Sequence, residues 1–226
     1  MNASTLPDVE KARFNMVEQQ IRPWDVLDSN VLNALSQVRR ELFVPPAVRA
    51  LAFSDVELPL EINGTDTHQT MLSPKVEAKL AQELRLQASD CVLEVGTGSG
   101  HQAALLSKLA QTVVSVEIDN RLSAFAQQNL QLNHIANVKV ETGDASNGWG
   151  STEYDAILLT GSVPVVPDAF KYQLRVGGRL VAVVGQGMQM TACRITRTTA
   201  ATFETENLFE TVIKPLRGAT VSKFKF

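Results

Sequence analysis

The stretch VLEVGTGSGHQAALLSKLA, residues 92–110, decides the fold. A short apolar run ends in an acid, three glycines alternate, and an apolar segment of helical character follows. A strand that feeds a helix through a glycine turn opens a βα unit, and such turns bring backbone amides close to a ligand. A dinucleotide site needs G-x-G-x-x-G, whereas Gly96, Gly98 and Gly100 give G-x-G-x-G and His101 stands where the last glycine would fall. The G-x-x-x-x-G-K-[ST] loop that holds nucleoside triphosphates is also absent. Glu94, two residues before the first glycine, repels a pyrophosphate but attracts an ammonium group, directly or through water. The pattern calls for a ligand with positive charge.

Working outward, "CVLEV", "TVVSVEI", "VKVET" and "YDAILLT" read as strands, separated by "HQAALLSKLA", "NRLSAFAQQNLQL" and a polar connection. Near-continuous apolar strands alternating with amphipathic helices predict a parallel sheet covered on both faces. After Pro167 a short helix leads to the strand "GGRLVAVVG", and "QMTACRITRT" and "TFETENLFETVIKPL" predict an antiparallel hairpin at the end of the sheet. Two further acids fall at successive strand ends. Glu117, followed by Ile118, lies about 20 residues past the glycines, where a carboxylate can accept from both hydroxyls of a ribose. Asp144, followed by Ala145, can accept from an adenine amino group. With Glu94 they describe a cationic adenosine compound, and S-adenosylmethionine fits, held by Gly96, Thr97, Gly98, Ser99 and Gly100 and by the three acids. Each feature also has a plainer reading: a tight turn for the glycines, a helix cap for Glu117 and an Asx turn for Asp144. Thr160 and Gly161, ending the fourth strand, lie on the same rim, where open α/β sheets bind ligands.

The chain of 226 residues is long enough for a sizeable core. Twenty-one basic and 24 acidic residues are well mixed, with a formal net charge of -3, so no broad basic face for nucleic acid is expected. The start lacks the pattern of a secretion signal and no apolar run approaches the ~18 residues of a membrane span, which predicts a cytoplasmic protein. Cys91 and Cys193 form no metal-binding spacing and read as reduced core thiols. The basic end "VSKFKF" reads as a solvated terminal strand or fray. Before the glycines, residues 8–55 read as short helices: Asp8 caps a run ending near Pro23, Asp28 or Ser29 caps the next, and Pro45 and Pro46 break the segment after it. "LPLEINGTDTHQTMLSP" reads as a loop. Ser73-Pro74 is a helix-start signal, and Val76, Leu80 and Leu84 put one apolar stripe on the helix begun there.

Nearly the whole chain resembles one family. "MVEQQIR", "RRELFVPP", the glycine stretch, "VVSVE", "GDASNGW", "YDAILLTGSVPVVP" and "GGRLVAVVG" are similar, in order, to the protein-L-isoaspartate O-methyltransferases. The glycine motif alone marks only a methyltransferase; "MVEQQIR", "GDASNGW" and "PVVP" make the resemblance specific. It implies a class I S-adenosylmethionine-dependent methyltransferase: a Rossmann-like, seven-stranded, mostly parallel sheet with an N-terminal helical cap, its last two strands exchanging places. Residues 1–73 would form the cap and active-site loop, and 74–226 the methyltransferase domain. The implied reaction methylates the α-carboxylate of L-isoaspartyl residues in damaged proteins or peptides, leaving S-adenosylhomocysteine. Gln69 and Thr70 would line the methionine end of the cofactor.

One departure stands out. The family carries Thr-Ile-Ser-x-Pro before this helix, with its serine near the point of methyl transfer, and the present chain reads Thr70-Met71-Leu72-Ser73-Pro74. Either the loop shifts to present Ser73 as a catalytic-site hydroxyl, or Ser73 only caps the helix. The departure keeps two alternatives open: a methyltransferase for another small acceptor, and a cofactor-binding protein with little catalysis. His68 could orient a carboxylate or simply be a surface residue, His101 is expected to pack or cap, and Trp149 either shapes the adenine side or packs in the core.

Overall fold

Strands that are apolar at nearly every position must be covered on both sides, and the computed structural model, which describes residues 6–219, meets that demand. The terminal stretch "VSKFKF" lies outside the described residues. In chain order, α1 (Leu6–Met16) runs into a π-helical turn, Val17–Ile21, and is followed by α2 (Ser29–Gln37). Then come β1 (Leu58–Ile62), β2 (Thr65–Met71) and α3 (Pro74–Glu83). The βα alternation follows as β3 (Cys91–Val95), α4 (His101–Ser107), β4 (Thr112–Glu117), α5 (Asn120–Leu132), β5 (Val138–Thr142) and β6 (Tyr154–Leu159). It closes with α6 (Asp168–Tyr172), β7 (Leu174–Gln186), β8 (Gln189–Arg197) and β9 (Phe203–Glu210).

Seven of these strands form one sheet, ordered β5-β4-β3-β6-β7-β8-β9. β3 to β7 are parallel, and β8 and β9 add on antiparallel. The last two strands stand in chain order, so β9 is the edge and is not inserted between its predecessors. The period of two divides the core cleanly. Val92, Ala156, Leu158, Val181 and Val183 face one apolar cluster with α2 and α3. Leu93, Ile157, Leu159, Leu180 and Ala182 face the other, with Phe170 of α6. From β3 the chain moves outward to β4 and β5, then crosses to β6 on the other side. The crevice at the carboxyl ends of β3 and β6 is therefore the topological switch point where ligands of such sheets bind.

Three expectations change. Asp8 does not cap the first helix but lies within it. The predicted loop before α3 is an antiparallel hairpin. Asn63 and Gly64 turn it with φ of 52° and 75°, a two-residue turn that needs the left-handed region at both positions. A bulge around His68, itself at φ 59°, breaks the alternation that would otherwise have revealed a strand. Ser73 does occupy the start of α3, with Val76, Leu80 and Leu84 buried, but its side chain makes no capping bond. Asp28 does cap α2, its carboxylate accepting from the amides of Asn30 and Val31.

Candidate active site

A cleft with about 670 Å³ of empty space, part of it open to solvent, lies at the switch point. Its floor is the glycine turn. Gly96, Gly98 and Gly100 have φ of 98°, 56° and 83°, which side chains rarely adopt. A Cβ on Gly96 would also fall 2.3 Å from Thr160 Oγ1. Thr160 donates that hydroxyl to the Gly96 carbonyl at 2.6 Å and so ties the turn to the end of β6. Gly100 packs instead against Ala126 of α5 and lines no cleft.

The acids at the next two strand ends do face the cleft. Glu117 ends β4, and its two oxygens accept from the amides of Gly98 at 2.9 Å and Asp119 at 3.0 Å. Burial pushes its carboxyl up, against those two bonds. It is not the cap of α5: Asp119 takes that role, accepting from the Arg121 amide. Asp144 follows β5 and accepts from the Ser146 amide at 2.8 Å, an Asx turn. That bond holds its carboxyl below the usual range, so it stays ionised as an acceptor. Ile118, 40% exposed, and buried Ala145 lie beside these acids on the cleft wall.

Gln69 and Thr70 line the opposite side, brought there by β2. A second branch, which shares Thr70, Gly96, Gly98 and Thr160 with the first, is lined also by Thr97, Ser99 and Glu77. Glu94 lines neither branch. It is fully buried beneath the turn, where one oxygen is hydrogen-bonded to Ser115 Oγ and none of the described residues hydrogen-bonds Oε1. The Thr97 hydroxyl stands 2.6 Å from Ser115 Oγ and extends the line of hydroxyls from Glu94 to the turn. Burial raises the Glu94 carboxyl to about 8, with Ser115 opposing and Glu77 and Glu117 adding to the rise. The ionised acid expected beside the ligand is therefore a withdrawn, protonated one under the loop.

Ser73 does not reach the cleft either. It lines a separate groove with Trp24 and Lys75, while the apolar Leu72 faces the cleft. His68 is exposed, its ring bonded to Asp66. His101 packs edge-on against Phe43 and bonds Glu77. The Trp149 indole stands over Gly143, occupying the position of any Cβ there, and bonds Glu141. It buttresses the wall without lining it.

Sequence reasoning missed two contributors. The segment after β9 returns to the rim: the Ser162 amide donates to the Lys214 carbonyl and the Leu216 amide to the Ser162 carbonyl, which places Lys214, Leu216 and Arg217 on the cleft. Nothing local signals a contact across about 50 residues of chain. The other is Arg40, buried behind the loop, which donates to the carbonyls of Ala52 and Leu72 and to Glu77. The two cleft carboxylates and the backbone turn suit a nucleoside, and no helix among the described residues is long and apolar enough to cross a membrane.

Comparison with known proteins bears on the family and the fold. Residues 11–220 match the family model described as protein-L-isoaspartate(D-aspartate) O-methyltransferase (PCMT). Protein-L-isoaspartate O-methyltransferase 2 of Pelobacter propionicus is 39% identical over 221 residues, covering 97% of this chain and 96% of that protein. A protein-L-isoaspartate O-methyltransferase of Rhodopseudomonas palustris is 39% identical over 206 residues, 90% and 92% of the two chains. Among solved structures, a protein-L-isoaspartate O-methyltransferase aligns with a TM-score of 0.78 at 24% identity, covering 93% of this chain and 66% of that one. A Plasmodium falciparum protein, solved with S-adenosyl-L-homocysteine, aligns with a TM-score of 0.76 at 17% identity over 92% and 97%.

Proposed function

The chain belongs to the protein-L-isoaspartate(D-aspartate) O-methyltransferase family, and from that premise we propose that it methylates the α-carboxylate of L-isoaspartyl residues in damaged proteins or peptides, with S-adenosylmethionine as cofactor. The observation that carries the reading is the pair Glu117 and Asp144, at successive strand ends, facing one cleft floored by the glycine turn. Glu117, fixed by two backbone amides, takes the ribose hydroxyls, and Asp144 takes the adenine amino group. Ile118 and Ala145 flank the base. Gln69, Thr70 and the turn from Gly96 to Ser99 enclose the amino-acid end, while Glu94 and Ser115 support that turn from beneath.

The bound cofactor supplies a methyl group on a sulfonium, already an effective leaving group. The protein need not move a proton, because a terminal-type carboxyl, with a pKa of roughly 3.5, is ionised at neutral pH. Accordingly, no histidine lines either branch of the cleft. What the chain provides is alignment and exclusion of water, and holding two reactants in line can remove roughly 7–11 kcal/mol of barrier. A second reading, methylation of another small acceptor, is favoured by Leu72, which puts an apolar side chain where the resembled family has a serine.

Incubation with labelled S-adenosylmethionine and an isoaspartyl peptide, beside its aspartyl twin, tests the proposal. Ester on the isoaspartyl peptide alone is the expected result. Transfer to neither peptide but to a metabolite pool establishes the second reading. In calorimetry with S-adenosylhomocysteine, Asp144→Ala is expected to weaken binding about tenfold and Ser73→Ala hardly at all; the reverse order would displace the adenine from Asp144.

A further inference from the structure

With Leu72 facing the cleft, the family's serine hydroxyl is missing from the acceptor end, and the other hydroxyl and cationic side chains near it have partners. Ser73 faces a different groove. Thr70 donates its hydroxyl to Glu57 at 2.7 Å. Arg217 is shared between Asp119 and the Thr67 carbonyl, and Lys75 pairs with Asp55 at 2.6 Å. Lys214 differs. Its ammonium makes a 2.9 Å bond to the His68 carbonyl and, among the described residues, no ion pair. The carboxylates in its neighbourhood have other partners: Asp66 accepts from the His68 amide and ring, and Glu57 from Thr70.

Position singles it out as well. Lys214 lines both the cofactor cleft and an adjoining groove with about 990 Å³ of empty space, walled by Ser162, Pro164, Gly185 and Met190. That groove is mostly apolar and open, and Lys214 and Pro215 line both it and the cleft. We propose that Lys214 recognises the acceptor carboxylate, doing by charge what a serine hydroxyl cannot do in this chain. The inference rests on the carboxyl-methylation reading above and adds the residue that selects for a carboxylate. The acceptor loses its charge as the ester forms, so an ion pair with Lys214 is stronger before the transition state than in it. Such an interaction lowers KM and does not raise kcat.

The experiment compares the intact protein with Lys214→Met and Lys214→Arg. Steady-state kinetics on an isoaspartyl peptide gives KM and kcat. Calorimetry on the S-adenosylhomocysteine-loaded protein gives the affinity for that peptide and for its twin with the α-carboxylate replaced by carboxamide. Lys214→Met is expected to raise KM about tenfold with kcat within about threefold, to leave S-adenosylhomocysteine affinity within about threefold, and to abolish the preference for carboxylate over carboxamide. Lys214→Arg restores most of that preference. Raising salt from about 50 mM to 0.5 M weakens peptide binding to the unsubstituted protein and has little effect on Lys214→Met. An unchanged KM, or a carboxylate preference that survives in Lys214→Met, overturns the assignment while leaving the methylation reading intact. If the unsubstituted protein binds S-adenosylhomocysteine yet neither binds nor methylates the isoaspartyl peptide, the methylation reading falls and takes this one with it.

Discussion

Glu77 and Glu94 are two carboxylates buried to the same degree behind the same glycine turn, 3% and 0% exposed, yet they are driven in opposite directions. Burial alone pushes both up. Glu77 meets the Arg40 guanidinium and the His101 ring and is held below the usual carboxylate range. His101, itself pushed down by burial, is neutral and donates from Nδ1 to Glu77, leaving Arg40 as the cation. Glu94 meets one serine hydroxyl and two like charges, and rises to about 8. Depth does not fix the state of a buried polar group; its partners do. Glu77 is thus an ionised strut joining α3 to the N-terminal segment, and Glu94 a protonated support for the cofactor loop.

The largest test of that contrast removes the cation. Arg40→Met leaves Glu77 charged and buried without its partner, and also strips a donor from the carbonyls of Ala52 and Leu72. Breaking a buried pair in this way costs about 3–5 kcal/mol. Urea unfolding is the measurement, and Glu77→Gln in the Arg40→Met background should recover part of the loss. A cost below about 1 kcal/mol, with no recovery, would mean the pair is not what ties the two segments together.

Per pH unit, a smaller effect comes from Glu94. Its folded pKa lies above the unfolded value of 4.5, so between those two pH values the folded state holds the extra proton. Stability from this group is therefore fully present below pH 4.5 and is lost as pH rises toward 8, by up to about 1.4 kcal/mol per unit. In Glu94→Gln that slope should vanish. Urea midpoints of the two proteins at pH 5.5, 7 and 8.5 give the difference directly. If the two fall in parallel, Glu94 is ionised throughout, and its kinship with Glu77 is closer than the structure implies.

The same division between position and partner explains how much could be read in advance. Strand ends were legible because each signal is local: Gly96 to Gly100, Glu117 and Asp144 each announce themselves within a few residues, and the parallel sheet lines them up. The hairpin of β1 and β2 was not, although Asn63-Gly64 is a strong turn signal, because the bulge at His68 breaks the period of two. Nor could the sequence place Lys214 and Arg217 on the cleft, since Ser162 holds that segment from about 50 residues away. Arg40 was visible only as a letter in "RRELFVPP". Its role comes from three partners drawn from separate elements, an arrangement that folding creates and no spacing encodes.

The smallest effect tests the lesson on two helix starts. Asp28 and Ser73 both stand at the position where a side chain can satisfy an orphan amide, and both are residue types that do so well. Asp28 makes the bonds, to the amides of Asn30 and Val31. Ser73 makes none, and Pro74 after it has no amide to offer, so α3 relies on the fixed φ of proline and on its buried stripe. Asp28→Ala is therefore expected to cost about 1 kcal/mol, and Ser73→Ala less than about 0.5. Thermal melts of the two variants suffice, because the comparison needs only the order. An equal loss would show that Ser73 caps α3 in solution. A loss of turnover in Ser73→Ala with an unshifted melt would place its hydroxyl at the acceptor, and would weaken the case for Lys214 there.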